Sequence, residues 1–239
     1  MSQTNPYEAP ASDLNQPSAA GDHPLNPNWQ IGSVLSEAWE LTNGFKATMW
    51  GAFLLYMAVV FGVSIVGGIV TAGAAALSAT TSIVLMVVVQ LAQLLVSAPL
   101  GAGLFMIGIK RASGQPVSAF MVFDYFPKTL PLFFAYLLMM VLIAIGFVLL
   151  VIPGIYLMIA YALALPLLVN KNLGIWDALE TSRKGITPCW FRFFGFGLLA
   201  ILIAIIASLP LFIGLIWVLP WLYVAVGIIY RDLFGVNVN

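Results

Sequence analysis

The chain has 239 residues, of which 62 % are hydrophobic and only 8 % charged, with Lys/Arg and Asp/Glu in balance. A soluble domain carries roughly 25 % charged residues, so a water-soluble globule is excluded and a polytopic membrane protein built as an all-α bundle is expected. Zero net charge leaves no global field to attract nucleic acid. One cysteine, Cys189, and one histidine, His23, exclude an intramolecular disulfide and a Cys/His metal cluster.

Residues 1–28 are polar, carry Pro6, Pro10, Pro17, Pro24 and Pro27, and have no Lys or Arg. Such a segment buries too little apolar surface to offset ordering entropy, so it reads as a disordered, retained tail. Its Asn5, Pro6, Tyr7 and Pro10 are a candidate docking motif, or simply part of a flexible Pro-rich stretch. Residues 29–235 form the membrane domain.

Within that domain, three stretches lack charge altogether: 47–109, 129–170 and 193–230. At about 1.5 Å per residue even the shortest would reach roughly 57 Å as one helix, against a hydrocarbon core of about 30 Å. Each therefore crosses twice. Turns are expected at Thr71–Thr81, at Val151-Ile152-Pro153-Gly154, and at Ser208-Leu209-Pro210 with Gly214. The six spans fall near 47–70, 82–109, 129–151, 154–170, 192–209 and 211–230, the second being long enough to tilt or kink at Pro99.

This arrangement puts Lys46, Lys110, Arg111, Lys128, Lys171, Arg183, Lys184, Arg192 and Arg231 on one side and no base on the other. The positive-inside rule then makes both termini cytoplasmic. Deleting any one span would scatter bases over both faces.

A weak threefold repeat accompanies the hairpins. Segments 31–41, 116–128 and 174–184 each precede a pair of spans, and Glu37-Ala38-Trp39-Glu40 aligns with Asp177-Ala178-Leu179-Glu180. Each is expected to be a short interfacial helix, with Trp39 and Trp176 at headgroup level. The acidic first copy favours packing onto span ends over attraction to anionic lipid. Glu180 and Lys184 are spaced to pair at i, i+4.

Inside the spans there is no Asp, Glu, Lys or His, which argues against a proton-coupled pump. Gln90 and Gln93 are either a polar path or interhelical glue, glue being the commoner role of such amides. Ser64, Gly68 and Ala72 make a small-residue stripe that reads as a helix-packing face. Tyr136, Tyr156, Tyr161, Tyr223 and Tyr230 read as belt or core aromatics before cavity residues. No nucleophile elbow, phosphate-binding loop, zinc motif or paired carboxylates occur, so no catalytic residue, cofactor or metal is expected.

Pro153-Gly154-Ile155-Tyr156, Ala164–Val169, Asp177-Ala178-Leu179 with Ser182, and Tyr230-Arg231-Asp232-Leu233-Phe234 occur in this order. Across residues 30–235 the chain resembles a group of uncharacterised bacterial six-span inner-membrane proteins. These are similar to the membrane domain attached to some glycerophosphodiester phosphodiesterases. The resemblance implies fold and location. It carries over no catalytic residue, because the phosphodiesterase chemistry belongs to a separate soluble barrel, and it implies structural roles for Pro153, Gly154, Tyr156, Asp177, Ser182, Tyr230, Arg231 and Asp232. The expectation is a non-enzymatic scaffold or accessory factor in contact with the lipid bilayer and with a membrane or cytoplasmic protein. The alternative is a carrier or channel for a neutral or lipidic solute.

Overall fold

The computed structural model describes residues 25–75 and 78–237. The candidate motif at Asn5, Pro6, Tyr7 and Pro10 lies outside them. Among the described residues every regular element is helical: α1 (Ile31–Leu41), α2 (Lys46–Ala75), α3 (Ala79–Ala112), α4 (Thr129–Leu149), α5 (Val151–Ala160), α6 (Ala164–Asn170), α7 (Ile175–Ile186), α8 (Trp190–Ser208) and α9 (Leu215–Phe234), with short 3-10 turns between some of them. Six helical stretches are long and apolar enough to cross a bilayer: Lys46–Ala74, Ala79–Ala112, Ala119–Leu149, Val151–Asn170, Ile175–Ser208 and Leu215–Phe234. The chain is a multi-pass helical membrane protein.

α3 is the hub, packed against α2, α9 and α4. It runs without a break through Pro99. Ser78 starts it by accepting a hydrogen bond from the Thr81 amide at 3.1 Å, and Lys110 and Arg111 lie in its last turn, where positive charge suits the helix dipole. Close approach depends on glycine. A Cβ on Gly227 of α9 would lie 2.5 Å from the Gly108 carbonyl oxygen of α3, so these two backbones touch.

The three segments preceding the hairpins differ more than their repeat suggested. α1 packs along α9, with Val34 and Ala38 buried. α7 packs on α6, α4 and α5, and continues through the 3-10 turn Thr187–Cys189 into α8 as one 34-residue stretch. The middle copy is no interfacial helix. Its 3-10 turn Ala119–Phe123 is wedged between α2 and α3, with Val122 fully buried. A Cβ on Gly51 would meet Ala119 at 3.0 Å, and one on Gly103 would meet the Val122 carbonyl at 2.6 Å. Two glycines on the spans open that slot.

Two turns are built differently from expectation. Leu150, in extended conformation, separates α4 from α5, so Pro153 and Gly154 sit in the first turn of α5. A proline there loses nothing, since first-turn amides have no intrahelical partner. Gly154 instead lets α5 approach α4: a Cβ on Gly146 would lie 3.0 Å from the Gly154 Cα. In the last hairpin the left-handed residues are Leu211 and Phe212, with φ of 50° and 65°, while Gly214 serves close contact with Ala207. The segment after Pro24 also departs from a free tail: the Asn26 amide donates to the Asp232 carbonyl at 2.8 Å, and Trp29 is buried.

Candidate functional site

The ends bearing Lys and Arg, here the basic end, are joined by side chains that reach across helices. Arg231 is the centre of this network. It is 5 % exposed, forms ion pairs with Glu37 of α1 at 2.7 Å and with Asp232 at 2.9 Å, and donates to the Ala112 carbonyl at the end of α3 at 2.8 Å. A guanidinium has five donors in a fixed fork, which lets one residue tie three segments. Arg111 donates from Nε to the Leu41 carbonyl and from a terminal nitrogen to the Asn43 carbonyl, each at 2.8 Å, closing the end of α1. Arg192 donates to the Trp29 carbonyl at 2.9 Å and lies over the Trp29 ring.

Beside Arg231, the fully buried Tyr230 donates its hydroxyl to Asn170 Oδ1 at 3.0 Å. Ser182, also fully buried, donates to the Ala160 carbonyl at 2.7 Å. That carbonyl is available because the helix pauses at Tyr161–Leu163 between α5 and α6. Pro166 has no N–H for the Ala162 carbonyl and its ring crowds it, and the Ala164 amide turns to Tyr161 instead. Tyr156 shares a hydrogen bond with Thr187 at 2.8 Å and stacks on Trp190. The motif residues Tyr156, Ser182, Tyr230 and Arg231 are thus joints between segments, and Asp232 supports Arg231 from within α9. Asp177 is exposed in the first turn of α7, where a carboxylate suits the helix dipole.

Glu180 pairs with Arg183 at 2.7 Å and more loosely with Lys184 at 3.4 Å, so the nearer partner is the one at i+3. The aligned acids of the first and third copies therefore do different work. Glu37 meets Arg231, whereas Asp177 stays at the surface.

Away from the basic end the polar contacts thin out. Gln93 of α3 donates to Ser64 Oγ of α2 at 3.0 Å, and Ser64 also bonds back to the Val60 carbonyl. Gln93 is glue between these two helices, and Gln90, one turn away, is exposed on the outer surface. Of the stripe Ser64, Gly68 and Ala72, Ser64 meets Gln93 of α3, but the three do not make a close-packed face among the described residues. Gly68 and Ala72 are exposed, and a Cβ on Gly68 would touch nothing within 4 Å. The close approach runs through Gly67, against Val89. One residue is a 100° rotation on a helix, and four-residue spacing of small side chains does not reveal which adjacent face is used.

Two cavities lie near the basic residues. One of about 500 Å³ is mainly apolar and opens between α5 and the start of α8, lined by Ile152, Tyr156, Cys189, Trp190 and Arg192 among others. A second of about 290 Å³ lies between α3, α6 and the segment 124–128 before α4. Among the described residues no three His, Cys, Asp or Glu side chains come together to hold a metal. The joints at Glu37–Arg231, Asn170–Tyr230 and Ser182–Ala160 were missed in sequence, because their partners lie 194, 60 and 22 residues apart. Only the third had a local signal, the helix-interrupting Pro166. No protein-family model, curated protein or solved structure matches this chain.

Proposed function

We propose that the chain is a non-catalytic scaffold or accessory protein of the bacterial inner membrane, with both termini in the cytoplasm. The observation that supports this best is its one-sidedness. The described charged side chains all belong to the basic end, where five of the nine bases hold segments together: Arg231, Arg111, Lys128, Lys171 and Arg192 each bond to another part of the chain. The positive-inside rule turns that end toward the cytoplasm. That end also exposes Trp39 on α1 and Trp176 on α7, and exposed tryptophan is enriched where proteins meet. The resemblance to six-span bacterial inner-membrane proteins supports the same location.

The test is mass spectrometry of what copurifies with the full-length protein in native nanodiscs, beside a deletion of residues 2–28. A protein retained only when residues 2–28 are present supports the scaffold. The carrier reading has one observation in its favour, the apolar cavity of about 500 Å³ beside Tyr156 and Trp190. Solute flux into liposomes by the purified protein alone, abolished by Q90L/Q93L with the fold intact, would replace the scaffold with a carrier.

A further inference from the structure

At the basic end Arg231 has two carboxylates, and Arg183 and Lys184 share Glu180. Among the described residues the other bases have no carboxylate within 4 Å, and two of them meet in the cavity of about 290 Å³. Lys110, Lys128, Asp124, Tyr125 and Asn170 line it, together with Asn237 from the chain after α9. Lys128 spends its donors on neutral acceptors, the Val169 carbonyl at 3.1 Å and Asn172 Oδ1 at 2.9 Å. An ammonium has three donors, so one is left over. Lys110 is half-buried and has neither a hydrogen bond nor a carboxylate within 4 Å among the described residues. Lys171, which is not part of the lining, donates to Asn237 Oδ1 at 2.9 Å, and burial lowers its pKa. Asp124 is exposed on the wall and within 4 Å of none of these ammonium groups.

Two lining lysines against one exposed carboxylate leave this cavity positive in a chain of zero net charge. Half-buried charge without a counterion is costly, and a bound anion offsets that cost. The cavity touches the last turns of α3 and α6 and Lys128, the residue before α4, at helix ends where a bilayer carries its phosphates. Lysines serve phosphate as point charges, needing no planar match. We propose that this cavity binds an anionic phosphate-bearing group, the headgroup of a lipid or a small soluble phosphate ester. Lys110 and Lys128 supply the positive charge, and Asp124 weakens binding. This goes beyond the scaffold reading and does not depend on it.

The experiment uses the full-length protein, with native mass spectrometry against dioleoylphosphatidylglycerol and dioleoylphosphatidylcholine, and thermal melts with glycerol 3-phosphate. Expected is preferential retention of phosphatidylglycerol, weakened about tenfold by K110Q, the effect of losing one charge-assisted contact. D124N should strengthen it severalfold, a gain that no structural role of the lysines would produce. K184Q, at the same end but outside the cavity, should change nothing. Stabilisation by glycerol 3-phosphate that is lost in K110Q, without a lipid preference, assigns the site to the soluble ester. Folded K110Q indistinguishable from wild type toward both probes overturns the proposal. If K110Q does not fold, the absence of any gain in D124N overturns it equally.

Discussion

The two halves of α3 share one helix and one apolar character, yet they live in different surroundings. In Ala79–Ser97 the side chains of Ile83, Val84, Met86, Val87 and Val88 are exposed to the surroundings of the bundle. From Ala98 to Ala112 eleven of the fifteen residues are buried, with Leu100, Ile107 and Ile109 at 0 %. Hydrophobicity cannot account for this, because lipid tails are as apolar as leucine and give no reward for burying it. What differs is size and polarity. The buried half carries Ala98, Ala102, Gly103, Gly108 and Ala112, which let Val122 and Tyr223 reach the helix backbone, and its end is held by Arg231 and Arg111. The exposed half is rich in β-branched residues and has Gln93–Ser64 as its polar tie. In a bilayer, packing follows small residues and hydrogen-bonded joints.

The strongest way to break this contrast is at Arg231. R231M would remove the link among Glu37, Asp232 and Ala112 and leave a partly buried carboxylate without its partner. Loss of one member of a buried pair costs about 3–5 kcal/mol, and reversible SDS unfolding in mixed micelles would measure it. A matched pair of glycine substitutions sharpens the point. G227L forces α9 off α3 and should cost about 1–3 kcal/mol or more, whereas G68L meets open space and should stay within about 0.5 kcal/mol. Thermal melts of both variants in one detergent give the comparison, and equal losses would erase the distinction. S182A leaves the Ala160 carbonyl buried without its donor, at about 1–3 kcal/mol, seen as faster amide exchange around the pause at Tyr161–Leu163. Q93L is the smallest, about 0.6 kcal/mol, readable as a slight fall in the unfolding midpoint with the spans unchanged.

Much of the fold was legible in the sequence because charge is forbidden in hydrocarbon. Three uncharged stretches and nine bases on one side define six crossings, and TM-length helices occupy all six. The joints were not legible, because Glu37 and Arg231 meet only once α1 lies along α9. The turn after α4 was misplaced at Pro153-Gly154, since proline in the first turn of a helix is as acceptable as proline in a loop. The small stripe at Ser64, Gly68 and Ala72 marks a real helix face, but contact between α2 and α3 uses Gly67. The wedge at Ala119–Phe123 left its trace in Gly51 and Gly103, glycines whose purpose shows only when the turn is seated between them.

On this reading the basic end holds the bundle together and the apolar half contributes little. Two double-mutant cycles test it directly, one at Glu37–Arg231 and one at Ser64–Gln93, both followed by SDS unfolding of the full-length protein. The account predicts a coupling of about 1–3 kcal/mol for the first pair and no more than about 0.6 kcal/mol for the second. Equal couplings, or a larger one at Ser64–Gln93, would contradict it.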